Sequence, residues 1–432
     1  MQFYSTNRLS PKADLRKAVM EGLAPDGGLY LPERIPVIPS AFFNNIGDMS
    51  VRDIAYVVAD LMLGDDIDSA EIKRIVNDTF SFDIPLLKLD DNIYVLELFH
   101  GPTLAFKDVG ARFLARIIRH YSDKRQGARK VKVLVATSGD SGGAVASGFL
   151  NVDGVEVYVL YPQGGLTQFQ KAQFTIPGSN IHAIEVFGTF DDCQRMVKSA
   201  FNDPELRGEM ELTSANSINI CRLLPQMFYF FHAYAQLAHR GETGDGGVVI
   251  SVPSGNLGNL TAGLLAYRMG LPVKRFVISN NINSVTVDYL HTHRFEPRRA
   301  VKTVACAMDV GNPSNIARII DLFGGAPEAI SAMVHGYSLT DSEILDTMTV
   351  THSANGYLTD PHGATALLAL RRDLQPGEKG IFLETAHPAK FAHAVKVATG
   401  VKFNTAKLPP ADKNAVRRIS ASADALKKIL TS

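Results

Sequence analysis

The spacing of apolar positions along the chain changes near residue 93. Before it, the pattern is helical. Residues 14–21 predict a short helix, residues 22–32 a connector rich in Gly and Pro, and residues 51–62 a longer helix with Ile54, Val57, Val58 and Leu61 on one face. A further helix is predicted over 69–79, opened by an Asp or Ser cap. Beyond residue 93, short apolar runs alternate with helices. The runs 131–136 and 155–160 flank a Gly-rich turn and a helix at 143–150, which is a βαβ unit. The same order recurs as strand 248–252, helix 260–269 and strand 276–279, and again as strand 380–385 followed by helix 388–399, with Gly270 and Gly400 as stops. Repeated βα units predict open, mainly parallel α/β sheets whose ligands sit at the carboxyl ends of the strands.

Three stretches carry the chemistry. Thr137, Ser138, Gly139, Asp140 and Ser141 follow a strand and open a helix, where hydroxyls and unsatisfied backbone N–H groups suit a carboxylate or phosphate; a capped turn without a ligand is the alternative. Gly255, Asn256, Leu257, Gly258 and Asn259 occupy the same position after strand 248–252. No Lys-Ser/Thr pair follows them and the spacing is not GxGxxG, so nucleotide hydrolysis and dinucleotide binding lose support. In the third stretch, Phe106, Val109, Phe113, Leu114, Ile117 and Ile118 define an apolar helical face, and Lys107 stands in the first turn. There the helix dipole opposes a cation, which an ordinary solvated lysine beside Asp108 tolerates and a lysine joined to an aldehyde or held near a phosphate exploits. Two anion cradles and such a lysine make pyridoxal phosphate a live candidate.

Composition narrows the classes. Lys plus Arg and Asp plus Glu each number 44 among 432 residues, so a net charge of zero gives no electrostatic reason to seek nucleic acid or an anionic membrane. The apolar fraction of 46% supports a sizeable core. Cys193, Cys221 and Cys306 are widely spaced and form no CxxC or zinc pattern; no metal site is expected, and a reducing, cytoplasmic setting is. No secretory leader or membrane span is read from the chain.

The opening Gly22–Tyr30 and the motifs His100–Asp108, Ala136–Gly142, Ser254–Asn259 and Thr385–Phe391 resemble, in this order, the threonine synthase family of fold-type II pyridoxal-phosphate enzymes. The resemblance implies three parts: a mostly helical N-terminal domain at 1–92, a large cofactor-binding α/β domain at 93–125 with 215–432, and a smaller α/β domain at 126–214. It also implies roles. Lys107 matches the Schiff-base lysine, Gly255, Asn256, Leu257, Gly258 and Asn259 the cofactor-phosphate loop, and Thr385 the hydroxyl facing the pyridine nitrogen. Thr137, Ser138, Gly139, Asp140 and Ser141 match the loop for the substrate carboxylate, and Asn216, Ser217 and Arg222 the substrate-phosphate segment. Without the resemblance, residues 216–222 read as a capped helix start with a surface Arg.

The implied activity is that of a carbon–oxygen lyase. It converts O-phospho-L-homoserine and water to L-threonine and phosphate by β,γ-elimination and hydration, in a monomer or homodimer. A neutral Thr385 is expected to leave the ring nitrogen without a full proton and to favour elimination over transamination. The alternative is a related phospholyase releasing 2-oxobutyrate and ammonia; a dehydratase or cysteine synthase on the same fold, and a non-catalytic binding relative, are more distant. His387 reads as structural. Ser141, Leu257, Glu384 and Pro225, which interrupts the helix after Arg222, depart from the commonest pattern, and Glu384 bears on the ring's electronics only if it points at it.

Overall fold

The computed structural model describes residues 1–123, 130–137, 139–164, 166, 168–176, 179–244, 246–403 and 415–432. The chain forms two compact units, one of 1–33, 107–222 and 406–432, the other of 34–106 and 223–405.

The second unit is built on a six-stranded sheet in the order Val334–Ser338, Val273–Asn280, Val248–Pro253, Gly380–Glu384, Ile93–Glu97 and Leu86–Lys88. All neighbours run parallel except the last pair. Buried on both faces, the central strands are buried at every position and mostly apolar rather than alternating, as a helix-covered parallel sheet requires. Helix Pro361–Asp373 packs Ala366, Leu367 and Leu370 against Val95, Val249, Val277 and Phe382.

The first unit holds a five-stranded, all-parallel sheet in the order Val416–Ser420, Ile181–Phe187, Val155–Pro162, Val131–Ala136 and Glu211–Ser214. It also holds a small antiparallel sheet of Ala13–Asp14, Gln2–Ser5 and Tyr30–Pro32. The α/β elements follow the sequence pattern closely, with helices at Asp140–Phe149, Gly258–Arg268 and Ala392–Thr399, the last capped by Gly400 at φ 75°.

Several features differ from the sequence expectation. Helix Lys107–Asp123 and residues 215–222 fall in the same unit as 126–214, not with the large domain. Residues 1–33 carry three strands and cluster with 107–222, not with 34–92, because the Thr213 hydroxyl and the Asn219 carboxamide both donate to the Val19 carbonyl at 2.9 Å. Residues 415–432 join the same unit instead of the larger domain. Strand Val416–Ser420 extends its sheet, and helix Ala423–Thr431 buries Leu426 and Leu430 against Leu134, Leu160 and Ile184. Helix Val51–Leu63 turns a different stripe inward, Ile54, Ala55, Val58, Ala59 and Met62, and leaves Leu61 exposed. Small Ala55 and Ala59 allow close packing that a reading of large apolar residues overlooks. No helix among the described residues is long and apolar enough to cross a membrane, and none of the three cysteines forms a disulfide.

Candidate functional site

In the unit of 34–106 and 223–405, strand Val248–Pro253 is followed by Ser254, and helix Gly258–Arg268 begins four residues later. Leu257 makes the turn at φ 61°, a left-handed conformation unusual for a leucine. Past it, the helix closes on itself: Thr261 N–H and hydroxyl both donate to Leu257 O, at 2.9 and 2.7 Å. The N–H groups of Gly255, Asn256, Leu257, Gly258 and Asn259 donate to no acceptor among the described residues. Unspent donors at the N-terminus of an 11-residue helix make an anion cradle. The loop is braced from outside. Asn256 Oδ1 accepts Ser314 N–H at 3.1 Å and Asn256 O accepts the Asn315 carboxamide at 2.9 Å, while fully buried Arg318 donates to Asn315 Oδ1 at 2.7 Å. Gly255 packs so tightly that a Cβ there would sit 2.8 Å from Ala307 O.

The same unit pairs residues 104–106 with 385–387. Phe106 N–H donates to Thr385 O at 2.9 Å, His387 N–H to Leu104 O at 3.0 Å, and Ala105 lies antiparallel to Ala386. Lys107 is the next residue and opens helix Lys107–Asp123. The Thr385 hydroxyl, on a nearly buried residue, makes no hydrogen bond among the described residues. His387 is engaged as a cap: its Nδ1 accepts Ala389 N–H at 3.1 Å, and burial, followed by the nearby His100 charge, lowers its pKa.

The other unit holds Thr137, Gly139, Asp140, Ser141, Asn216, Ser217 and Arg222; Ser138 lies outside the described residues. Thr137 staples its loop. Its hydroxyl donates to Gly139 O at 3.0 Å and accepts Gly139 N–H and Gly142 N–H, both at 2.9 Å. Gly139, at φ 147°, adopts a conformation only glycine takes without strain. Neither the amide nor the hydroxyl of Ser141 has a partner among the described residues. Asn216 laces onto the strand before this loop, donating to Ala136 O at 2.9 Å. Ser217 follows in the turn leading to helix Ile220–Leu223. Arg222 is buried rather than on the surface: it donates to Ala215 O at 2.7 Å, and a Cβ on Gly110 would meet its carbonyl at 2.6 Å. Burial lowers the Arg222 pKa to about 10, and the Asp108 charge opposes that shift.

Glu384 is buried beneath the start of helix Pro361–Asp373, where its Oε1 accepts Asp360 N–H at 2.5 Å and its Oε2 fills the space a Cβ on Gly363 would need. Burial first, then the Asp360 charge, push its carboxyl well above the ordinary range. Around it lies a network that sequence reasoning missed. Asp360 Oδ1 accepts the His362 backbone N–H at 2.5 Å and its ring Nδ1–H at 2.6 Å, and Oδ2 accepts Ala386 N–H at 3.1 Å. Glu97 takes the Tyr357 hydroxyl at 2.9 Å and pairs with His100 at 2.7 Å. The only local signal was Asp360-Pro361, a cap followed by a proline at the first helical position.

A cavity of about 440 Å³ in the first unit is lined by Lys130, Glu156, His182 and Arg417 among others, at the amino ends of the strands and away from these loops. Its Lys130 is already paired with Glu156 at 3.1 Å.

Comparison with known proteins identifies the family. The family model described as "Pyridoxal-phosphate dependent enzyme" matches residues 79–383, flanked by "Threonine synthase N terminus" at 2–80 and "Threonine synthase, C-terminal" at 362–424. Threonine synthase of Haemophilus influenzae is 42% identical over 403 residues, covering 93% of this chain and 92% of the relative. The crystal structure of threonine synthase from Escherichia coli superposes with a TM-score of 0.90 at 37% identity, covering 100% of this chain and 99% of that one. That of PLP-bound threonine synthase from Brucella melitensis does so with a TM-score of 0.90 at 32% identity, covering 100% and 98%. With the likeness running from end to end, the chain belongs to the threonine synthase family of pyridoxal-phosphate-dependent enzymes.

Proposed function

We propose that the chain converts O-phospho-L-homoserine and water to L-threonine and phosphate in the cytoplasm, with Lys107 as its catalytic residue. The observation that carries this reading is the pairing of residues 104–106 with 385–387, which sets Lys107 directly after a segment hydrogen-bonded to Thr385. The residues fit pyridoxal phosphate. The unspent amides of 255–259 suit its phosphate, Thr385 offers an uncharged hydroxyl to its ring nitrogen, and the Lys107 amine is the group that joins its aldehyde. When bound, the cofactor supplies an electron-withdrawing ring that stores the negative charge developing on the substrate.

The chain's own groups do the rest. Lys107 Nζ takes the proton from the substrate α carbon and serves as the acid and base of the later proton shifts. The Ser141 amide and hydroxyl, with Gly139 and Asp140, receive the α-carboxylate, while Thr137 holds that loop's shape through its three hydrogen bonds. Arg222 offers a planar fork, and Asn216 and Ser217 neutral donors, to the phosphate that leaves the γ carbon with loss of a β proton, before water adds at the β carbon. Ser138 shares the carboxylate role by its place in the motif.

Purified protein supplied with O-phospho-L-homoserine should release threonine and phosphate in equal amounts. Lys107→Ala should lower turnover by about a thousandfold or more and abolish the visible absorbance of the bound cofactor. Release of 2-oxobutyrate in place of threonine would identify a phospholyase, and turnover surviving in Lys107→Ala would remove Lys107 from the chemistry.

A further inference from the structure

Thr385 and Gly255 stand at the ends of different strands, and hydrogen bonds through one carboxylate and one imidazole connect their segments. Asp360 Oδ2 holds Ala386, the residue after Thr385, while Oδ1 holds the His362 ring at Nδ1. The other ring nitrogen, Nε2, accepts Ala307 N–H at 3.1 Å. These two bonds together require the neutral ring that carries its proton on Nδ1. Ala307 in turn is the residue against which Gly255 packs, with its carbonyl 2.8 Å from the position of a Cβ on Gly255. Asp360 and His362 are both buried, so each bond is made where an unmet partner is costly. The pair serves more than the helix it begins: capping helix Pro361–Asp373 needs only Oδ1, and leaves Oδ2 and His362 Nε2 to be explained.

We infer that Asp360 and His362 form a positioning pair that fixes the ring-nitrogen segment (Thr385–Ala386) and the phosphate loop (through Ala307 and Gly255) relative to each other, so that both grips on pyridoxal phosphate are set by one hydrogen-bonded unit. The inference rests on the cofactor reading above. Neither residue touches the cofactor in this account; they act through Ala386 and Ala307.

Two substitutions separate the two arms. Asp360→Asn keeps a good helix cap through its one oxygen and presents an NH2 to Ala386 N–H, donor against donor. His362→Asn keeps a donor toward Asp360 and loses the acceptor for Ala307. Each apoprotein is titrated with pyridoxal phosphate and with pyridoxal, which lacks the phosphate, and its melting temperature without cofactor is measured. Asp360→Asn should weaken both ligands alike, by about tenfold to a hundredfold, and shift the absorbance maximum of bound cofactor. His362→Asn should weaken pyridoxal phosphate by about tenfold, leave pyridoxal nearly unchanged, and so lower the preference for the phosphorylated form. If the variants lower the melting temperature but bind both ligands as wild type does, the pair only stabilises the fold and the inference falls. If wild-type protein itself binds no pyridoxal phosphate through Lys107, the cofactor reading falls instead, which the wild-type titration alone decides.

Discussion

The loops at 137–142 and 254–259 follow the same plan, a buried parallel strand, a glycine-bearing turn and a helix N-terminus, yet they spend their donors differently. In the first, Thr137 takes two backbone N–H groups into its own hydroxyl, and the Ser141 amide and hydroxyl have no partner among the described residues. In the second, five consecutive amides from Gly255 to Asn259 donate to no acceptor among the described residues, and the bracing comes from elsewhere, through Ser314, Asn315 and Ala307. A loop stiffened from within offers a small, well-aimed set of donors, suited to a carboxylate that must come and go. A loop braced from outside keeps its whole amide ladder for one resident anion.

Four measurements sharpen or break this contrast. The largest effect should come from Gly255→Ala. The added carbon meets the Ala307 backbone, so the cradle must shift, and pyridoxal phosphate affinity should fall about a hundredfold, about 3 kcal/mol; an unchanged dissociation constant would show that the cradle is not what holds the phosphate. Next, Thr137→Val removes the staple and leaves two buried N–H groups unmet. It should cost about 2 kcal/mol of stability and raise KM for O-phospho-L-homoserine while cofactor affinity holds. A loss of cofactor affinity equal to the rise in KM would erase the difference between the loops.

Ser141→Ala should raise KM about tenfold with kcat nearly unchanged, as loss of one ground-state contact does. The smallest effect belongs to the turn around Asp26, whose carboxylate is held by the protein's own donors. Asp26 is pushed up by burial, but the Ser5 hydroxyl and the amides of Gly28, Leu9 and Ser10 outweigh that and hold it at about 2. Its folded pKa lies below the ordinary 3.8, so its stabilisation is full above that value and fades as pH falls toward 2. Asp26→Asn should therefore cost about 1 kcal/mol at pH 7, and the gap from wild type should close in acid melts. A gap that stays constant down to pH 2 would mean the charge contributes nothing.

Much of this was legible in local sequence. The strands at 131–136, 248–252 and 380–385 are predominantly apolar runs, interrupted only by Lys132, by Ser251, and by Glu384 and Thr385, and the structure ends them within a residue or so of where composition does. The helix over 69–79 is observed at Ser69–Thr79 with Asp68 as its cap. The short strands Gln2–Ser5, Ala13–Asp14 and Tyr30–Pro32 were not legible, because four residues or fewer show no alternation and exist only by pairing with one another. Nor was the burial of Arg222, whose neighbours Gly110 and Ala215 come from separate elements. Glu384 could be assigned a direction only once Asp360 N–H was found on its carboxylate.

By itself, the sequence determined the alternation of strands and helices, the glycines at positions of close approach, and the kinds of chemical group that follow each strand. These depend on neighbours a few residues away, through periodicity and backbone stereochemistry. Only the tertiary structure decided which unit the first and last residues join, which loop keeps its amides free, and that Asp360 and His362 link the segments of Thr385 and Gly255. Those outcomes depend on hydrogen bonds between residues that folding brings together from distant parts of the chain, and no local pattern encodes such a meeting.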